Sequence, residues 1–120
     1  MGLVRFPDTR ASKPMTAEIF QSATGGTYYT ILDITSGSGF LQRLITTNSY
    51  STSANIVDFR ITIDGLQQTI SPFGAFAASP AEEFEIFSNS RFNFSLKIEA
   101  RNNTGSTYNI AAGCDYVLEI

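Results

Sequence analysis

The chain of 120 residues contains no histidine, no tryptophan and only one cysteine. Histidine is the side chain that most often serves as a general base, or activates a serine or cysteine nucleophile. One cysteine cannot form an internal disulfide, and zinc sites that need histidine or several cysteines are excluded by count. We therefore expect Cys114 to be a small buried strand residue rather than a nucleophile.

Charge is also scarce, because charged residues make up 16% of the sequence and the net charge is −3 at pH 7. No block of lysine or arginine provides the electrostatic surface that nucleic-acid binding requires. No apolar run approaches the roughly 20 residues of a membrane-spanning helix. The opening MGLVRFPDTR lacks the apolar segment of a secretory signal. We predict no nucleic-acid partner, no membrane insertion and no secretion by a signal peptide.

Acid–base or calcium chemistry would have to rest on carboxylates alone. No pattern places two carboxyl groups across a sugar, and no Asp-x-Asp-x-Asp-Gly loop occurs. Asp58 fits an outward strand position, Asp64 fits a turn, and Glu82 and Glu83 fit a solvated surface. These interpretations predict a protein that is not an enzyme and needs neither a metal nor another cofactor.

Aromatic residues are plentiful, with ten phenylalanines and five tyrosines, and such side chains favour pleated, half-buried surfaces. The length suits one domain that can bury a core without disulfides. Residues 1–16 carry Pro7 and Pro14 and show no periodicity, which predicts an extended arm. Residues 17–120 are predicted to form a single domain.

The stretch VDFRITIDGLQQTI, residues 57–70, is typical of a β-hairpin. Its apolar residues alternate with polar ones, as in a strand with one face in a core. Asp64 and Gly65 suit a two-residue turn in which both residues have positive φ. Because asparagine suits the same turn, Asp64→Asn is expected to be nearly silent. The predicted inward residues are Val57, Phe59, Ile61 and Ile63.

The stretch RFNFSLKIEAR alternates even more regularly and predicts one continuous strand after a turn at residues 88–90. Its predicted core residues include Phe94, and Phe94→Ala is expected to cost about 3–5 kcal/mol. The complete inward set is Phe92, Phe94, Leu96, Ile98 and Ala100.

The remaining segments predict further short strands separated by turns. In residues 40–47, the positions of Arg43 and Leu44 break the alternation, so the inward face stays unassigned. Ser79 and Pro80 suit the start of a single helical turn near residues 80–83. Seven or eight short strands and at most one helical turn predict an all-β, antiparallel β-sandwich. The other predicted strands are 17–22, 27–34, 84–87 and 108–120, the last being a strand pair or one bent strand with a bulge at Gly113.

Three stretches resemble segments of small structural proteins of tailed bacteriophages. They are SGSGFLQRLITT, IVDFRITIDG and EIFSNSRFNFSLKIEARN, and the resemblance spans about residues 28–103. It implies a jelly-roll-like module of a phage or prophage virion, such as a tail, baseplate, head-fibre or decoration component. The implied function is structural or accessory, and the implied location is the virion, or the bacterial cytoplasm during assembly.

Apolar residues that do not belong to a predicted strand indicate an oligomer. The stretch SPFGAFAAS either closes the end of the sandwich or forms a subunit contact. Identical subunits that associate head to tail usually form closed rings, and we predict a homo-oligomer with a trimer as the first choice. The candidate contact residues are Leu3, Val4, Phe6, Phe73 and Phe76.

Carbohydrate or host-receptor binding is the alternative function. Sugar sites often stack a ring on an exposed aromatic side chain, and Tyr50 and Tyr108 lie in polar stretches suited to this. Each tyrosine equally suits a role as a loop anchor packed on the end of the sandwich. A possible glycan therefore remains the second prediction.

Overall fold

The computed structural model describes residues 12–47, 56–70 and 83–119. Within these ranges the chain forms strands and turns and contains no α-helix. The prediction of an all-β antiparallel sandwich is confirmed. The strands are β1 (Ser12–Ala23), β2 (Tyr28–Ile34), β3 (Ser38–Thr47), β4 (Val57–Ile63), β5 (Leu66–Ile70), β6 (Glu83–Phe92), β7 (Leu96–Asn102) and β8 (Tyr108–Glu119).

The strands form two four-stranded sheets with the orders β1-β8-β3-β6 and β2-β7-β4-β5. The pairings β1 with β8, β2 with β7, β3 with β6 and β4 with β5 are all antiparallel. The chain is thus paired like one long hairpin that has been rolled into two layers. This is the eight-stranded arrangement of a jelly roll.

The core lies between the two sheets and is built from residues of alternating position on each strand. Val57, Phe59 and Ile61 of β4 are buried, and so are Leu96, Ile98 and Ala100 of β7. The period-two pattern therefore identified the inward faces of these two central strands correctly. From the first sheet the core receives Leu41, Leu44, Phe92, Ile110, Ala112, Cys114 and Tyr116.

The two-residue hairpin at Asp64 and Gly65 is confirmed. Ile63 pairs with Leu66, so only these two residues form the turn. Both have positive φ, at 51° for Asp64 and 88° for Gly65. This geometry matches the right-handed twist of the strands that it joins.

A β-bulge explains the broken alternation in β3. Leu41 pairs with Tyr116 and Arg43 pairs with Asp115, so Gln42 is an extra residue opposite β8. The bulge shifts the strand by one position, and Leu41 and Leu44 both point into the core although three positions separate them.

The predicted continuous strand at RFNFSLKIEAR is wrong. β6 runs through residues 88–90 to Phe92, with a register irregularity where a turn was predicted. The chain turns at residues 93–95 instead, and Phe94 is 71% exposed rather than buried. Three residues separate the buried Phe92 and Leu96, so the apolar residues continue to alternate with polar ones across the turn. The sequence pattern therefore gives no sign of the turn.

β8 is one strand, and the predicted bulge at Gly113 is also wrong. Its register with β1 continues without interruption past Gly113. A Cβ atom at this position would lie 2.8 Å from the carbonyl oxygen of Ala17. Glycine is needed here because the backbones of β1 and β8 approach closely.

β1 begins at Ser12, so residues 12–16 belong to the first sheet and not to the predicted arm. Residues 1–11 and the predicted helical turn up to residue 82 lie outside the described residues.

Candidate interaction surfaces

Of the candidate site residues, only Tyr108 lies in the described part of the chain. It is the first residue of β8, is 43% exposed and pairs with Ala23 at one end of the first sheet. Tyr50, Leu3, Val4, Phe6, Phe73 and Phe76 lie outside the described residues. The subunit contact and the glycan site therefore stay predictions.

The outer face of the second sheet carries ion pairs between neighbouring strands. Asp58 lies opposite Arg101, and Arg60 lies opposite Glu99, so β4 and β7 place opposite charges side by side. Arg60 Nε donates to Glu99 Oε1 at 2.8 Å, and Arg101 Nη2 donates to Asp58 Oδ2 at 3.0 Å. The Arg60 guanidinium holds the pKa of the Glu99 carboxyl below its ordinary value. These cross-strand ion pairs brace the sheet between β4 and β7.

Tyr28 lies beneath two of these guanidinium groups. The Arg60 Cζ atom is 3.9 Å from the centroid of the Tyr28 ring, and the Arg101 Cζ atom is 5.0 Å from it. Cations over an aromatic face are attracted by the ring quadrupole. This ring face is therefore occupied and does not offer a stacking surface for a sugar.

Cys114 is buried in the core, as its strand pattern predicted. Burial raises the pKa of its thiol to about 12. Since the thiolate is the nucleophile, a thiol with this pKa is inert at neutral pH. Within the described ranges, no group of three or more histidine, cysteine, aspartate or glutamate residues is arranged to hold a metal ion.

The outer face of the first sheet contains an apolar depression that we call the Gly113 groove. Gly113 lies between Glu18 of β1 and Ile45 of β3. Because glycine has no side chain, the floor of the depression at this position is backbone. The next row places Ala111 beside Phe20, which is 57% exposed. The depression has a volume of about 290 Å³ and is lined mainly by small or apolar groups.

One end of the sandwich projects two large apolar side chains, and we call it the Phe94 tip. It consists of the hairpin at residues 64–66 and the turn at residues 93–95. Phe94 is 71% exposed and Leu66 is 79% exposed. Large exposed apolar groups on a soluble domain often mark an interaction site when they lie together.

The Asp64 carboxylate fixes the conformation of the Phe94 tip. It accepts hydrogen bonds from the backbone N–H groups of Asn93 at 2.9 Å, Phe94 at 2.6 Å and Ser95 at 3.0 Å. The Gly37 N–H donates to the Phe94 carbonyl at 3.0 Å. The sequence indicated only the local turn role of Asp64, because its partners lie about thirty positions away along the chain.

The structure reverses the expectation that Asp64→Asn is silent. The N–H bonds from Ser95 and Asn93, in that order, are the largest causes that hold the pKa of the Asp64 carboxyl below its ordinary value. Such a group stabilises the fold above its unfolded pKa, and the contribution is lost as pH falls through the folded pKa. Asp64→Asn should therefore lower the urea midpoint at about pH 7, and the difference from the wild type should shrink toward about pH 2.5.

The matched control is Asp33→Asn, which removes an exposed carboxylate of β2 outside the tip. It should leave the midpoint nearly unchanged at both pH values. A deficit of Asp64→Asn that is equally large at acid and neutral pH would show that the charge of Asp64 is not what holds the turn.

The comparisons with known proteins identify a fold rather than a family. No family model matches the chain, and no curated protein matches it. Among solved structures, the chain is similar to a chain of the "Cyanophage Pam1 capsid asymmetric unit", with a TM-score of 0.55 and 11% identity. The match covers 92% of this chain and 86% of that chain. The likeness is one of fold.

Because the match covers most of both chains, the two chains are of similar length and share most of the fold. Over the three described ranges, no helix is long and apolar enough to cross a membrane.

Proposed function

We propose that this protein is a non-enzymatic structural or accessory subunit of a phage or prophage virion and acts by binding other proteins. The observation that carries the proposal is the likeness in fold, over nearly the whole chain, to a chain of a cyanophage capsid. The resemblance of residues 28–103 to small phage structural proteins points to the same class independently. The corresponding location is the virion, or the bacterial cytoplasm before assembly.

The polar chemistry of the described residues supports an architectural role. The carboxylates of Asp58 and Glu99 hold cross-strand ion pairs, and that of Asp64 holds a turn. Large exposed apolar side chains, in contrast, project from hydrogen-bonded backbone, Phe20 from β1 and Phe94 from the turn that Asp64 binds. A surface of this kind is suited to protein contacts.

Among virion parts, we propose an accessory component of the capsid shell, of the decoration type. The matched chain comes from a capsid and has a length similar to this chain. We further propose that the subunit is a homo-oligomer, with a trimer as the first choice. Its proposed contacts include the arm and the connection between β5 and β6, through Leu3, Val4, Phe6, Phe73 and Phe76.

Mass spectrometry of purified particles tests the virion assignment. We expect the chain in particles at many copies each, and labelling by a specific antibody on the capsid shell in negative-stain micrographs. A host cytosolic protein of similar abundance serves as the control for carry-over. Depletion of the chain from the particles to the level of that control would refute the assignment, and labelling confined to the tail would refute the capsid location.

A further inference from the structure

We propose that the Phe94 tip of one copy docks into the Gly113 groove of a second copy, so that identical chains associate head to tail. The inference rests on the homo-oligomer of the proposed function and assigns two described surfaces to its contact. Within the described ranges, no strand of the same chain covers either surface.

The Phe94 tip is a preorganised projection. The Phe94 N–H is bound by the Asp64 carboxylate and its carbonyl by the Gly37 N–H, so the backbone that carries the ring is fixed. A turn whose backbone is held in place before binding loses less conformational entropy when it docks. The groove of the same chain lies on the outer face of the first sheet. Because the tip is fixed in this way, it cannot fold back onto that groove.

The Gly113 groove has the size and lining that a phenylalanine side chain needs. An engineered apolar cavity of about 150 Å³ binds benzene, so a groove of about 290 Å³ has room for a benzyl group and part of Leu66. Phe20 and Ile45 form the walls, and an inserted ring can pack on Phe20 edge to face. The floor admits it because Gly113 and Ala111 carry almost no side chain.

Charge at the two surfaces is complementary. Arg91 lies three positions before Phe94 and is 44% exposed. Its guanidinium has five N–H donors, and three of its nitrogens already bind Asn93 and Glu119, which leaves two donors for a partner. Glu18 is exposed beside the groove, and among the described residues no hydrogen bond or ion pair engages its carboxylate. Docking would bring these opposite charges to the rim of the contact.

The surface area that one tip buries limits the strength of the contact. One phenylalanine buries about 150–250 Å², whereas a standard interface buries about 800 Å² on each partner. A single tip-to-groove contact is therefore weak. Since each copy carries one tip and one groove, copies can close a ring in which every tip is used.

Two single variants test the contact by sedimentation equilibrium of the full chain. Phe94→Ser removes the tip but keeps the groove, and Ala111→Lys blocks the groove but keeps the tip. We expect the wild type to form oligomers at high micromolar concentration and each variant to remain a monomer of about 13 kDa. An equimolar mixture of the two variants retains one intact tip and one intact groove per pair, so any complex that it forms should be a dimer, weaker than the wild-type oligomer because no ring can close.

Tyr108→Ser is the matched control, because it removes an exposed aromatic side chain at the opposite end of the sandwich. It should oligomerise like the wild type, and circular dichroism should show that all three variants are folded. A monomeric wild type, a Phe94→Ser variant that still oligomerises, or a variant mixture that forms complexes larger than a dimer would each overturn the proposal. None of these outcomes removes the chain from purified particles, so the virion assignment is tested separately.

Discussion

Phe92→Ala should lower the free energy of unfolding by about 3–5 kcal/mol, whereas Phe94→Ala, two positions further on, should change it by less than about 0.5 kcal/mol. Phe92 is fully buried at the end of β6, and its removal leaves a cavity that the surrounding strands cannot close. Phe94 projects into solvent from the following turn. The sequence pattern predicts that both residues are buried. The difference in unfolding free energy between the two variants therefore measures the effect of the turn.

Urea unfolding of the two variants checks this expectation. A loss of about 3–5 kcal/mol is a large share of the roughly 5–15 kcal/mol that stabilises a domain. Phe92→Leu keeps most of the side-chain volume and should recover much of the loss. Equal effects of Phe92→Ala and Phe94→Ala would place both side chains in the core and contradict the turn at residues 93–95.

Asn102→Asp should also destabilise the protein strongly, by about 2–5 kcal/mol at neutral pH. The Asn102 side chain is fully buried and makes four hydrogen bonds. Its Nδ2 donates to the carbonyls of Ala23 at 3.1 Å and Ser106 at 2.7 Å. Its Oδ1 accepts from the backbone N–H and the hydroxyl of Thr104. Aspartate supplies neither donor and places a buried negative charge against two carbonyl oxygens.

The destabilisation by Asn102→Asp should decrease at acid pH, because a protonated carboxyl restores one donor and removes the charge. Asn109→Asp, at an exposed position of β8, makes the same chemical change outside the core and should cost little. Thermal unfolding of both variants at several pH values makes the comparison. A similar small effect of both would mean that the four bonds of Asn102 do not hold the β7–β8 connection in place.

Local periodicity predicted the strands whose pairing and turns are local. The hairpin at Asp64 and Gly65 was correct because turn chemistry and alternation act over only a few residues. The inward faces of β4 and β7 were correct for the same reason. In β3 the alternation did not identify the inward face, because Gln42 forms a bulge. A bulge is recognised only when the opposing strand is known.

The interaction surfaces depend on pairing between distant strands, which no local pattern contains. The Gly113 groove exists because register places Glu18 and Ile45 on either side of a glycine. Asp64 reaches the turn at residues 93–95 only because β4 and β7 are neighbours in the second sheet. A single sequence indicates that Asp64, Asn102 and Gly113 are suited to turns, loops or close approach, but it does not indicate their partners.

The nested pairing of the strands has a kinetic consequence. β4 and β5 are joined by two residues and close the shortest loop, whereas β1 and β8 pair the two ends of the described chain. Closing a longer loop costs more entropy, and domains dominated by distant contacts fold slowly. We therefore expect the chain to fold outward from the hairpin at Asp64, with β1 joining last. The groove is completed in the same step, since β1 supplies Phe20 and Glu18, so a chain still folding cannot yet receive a neighbour there.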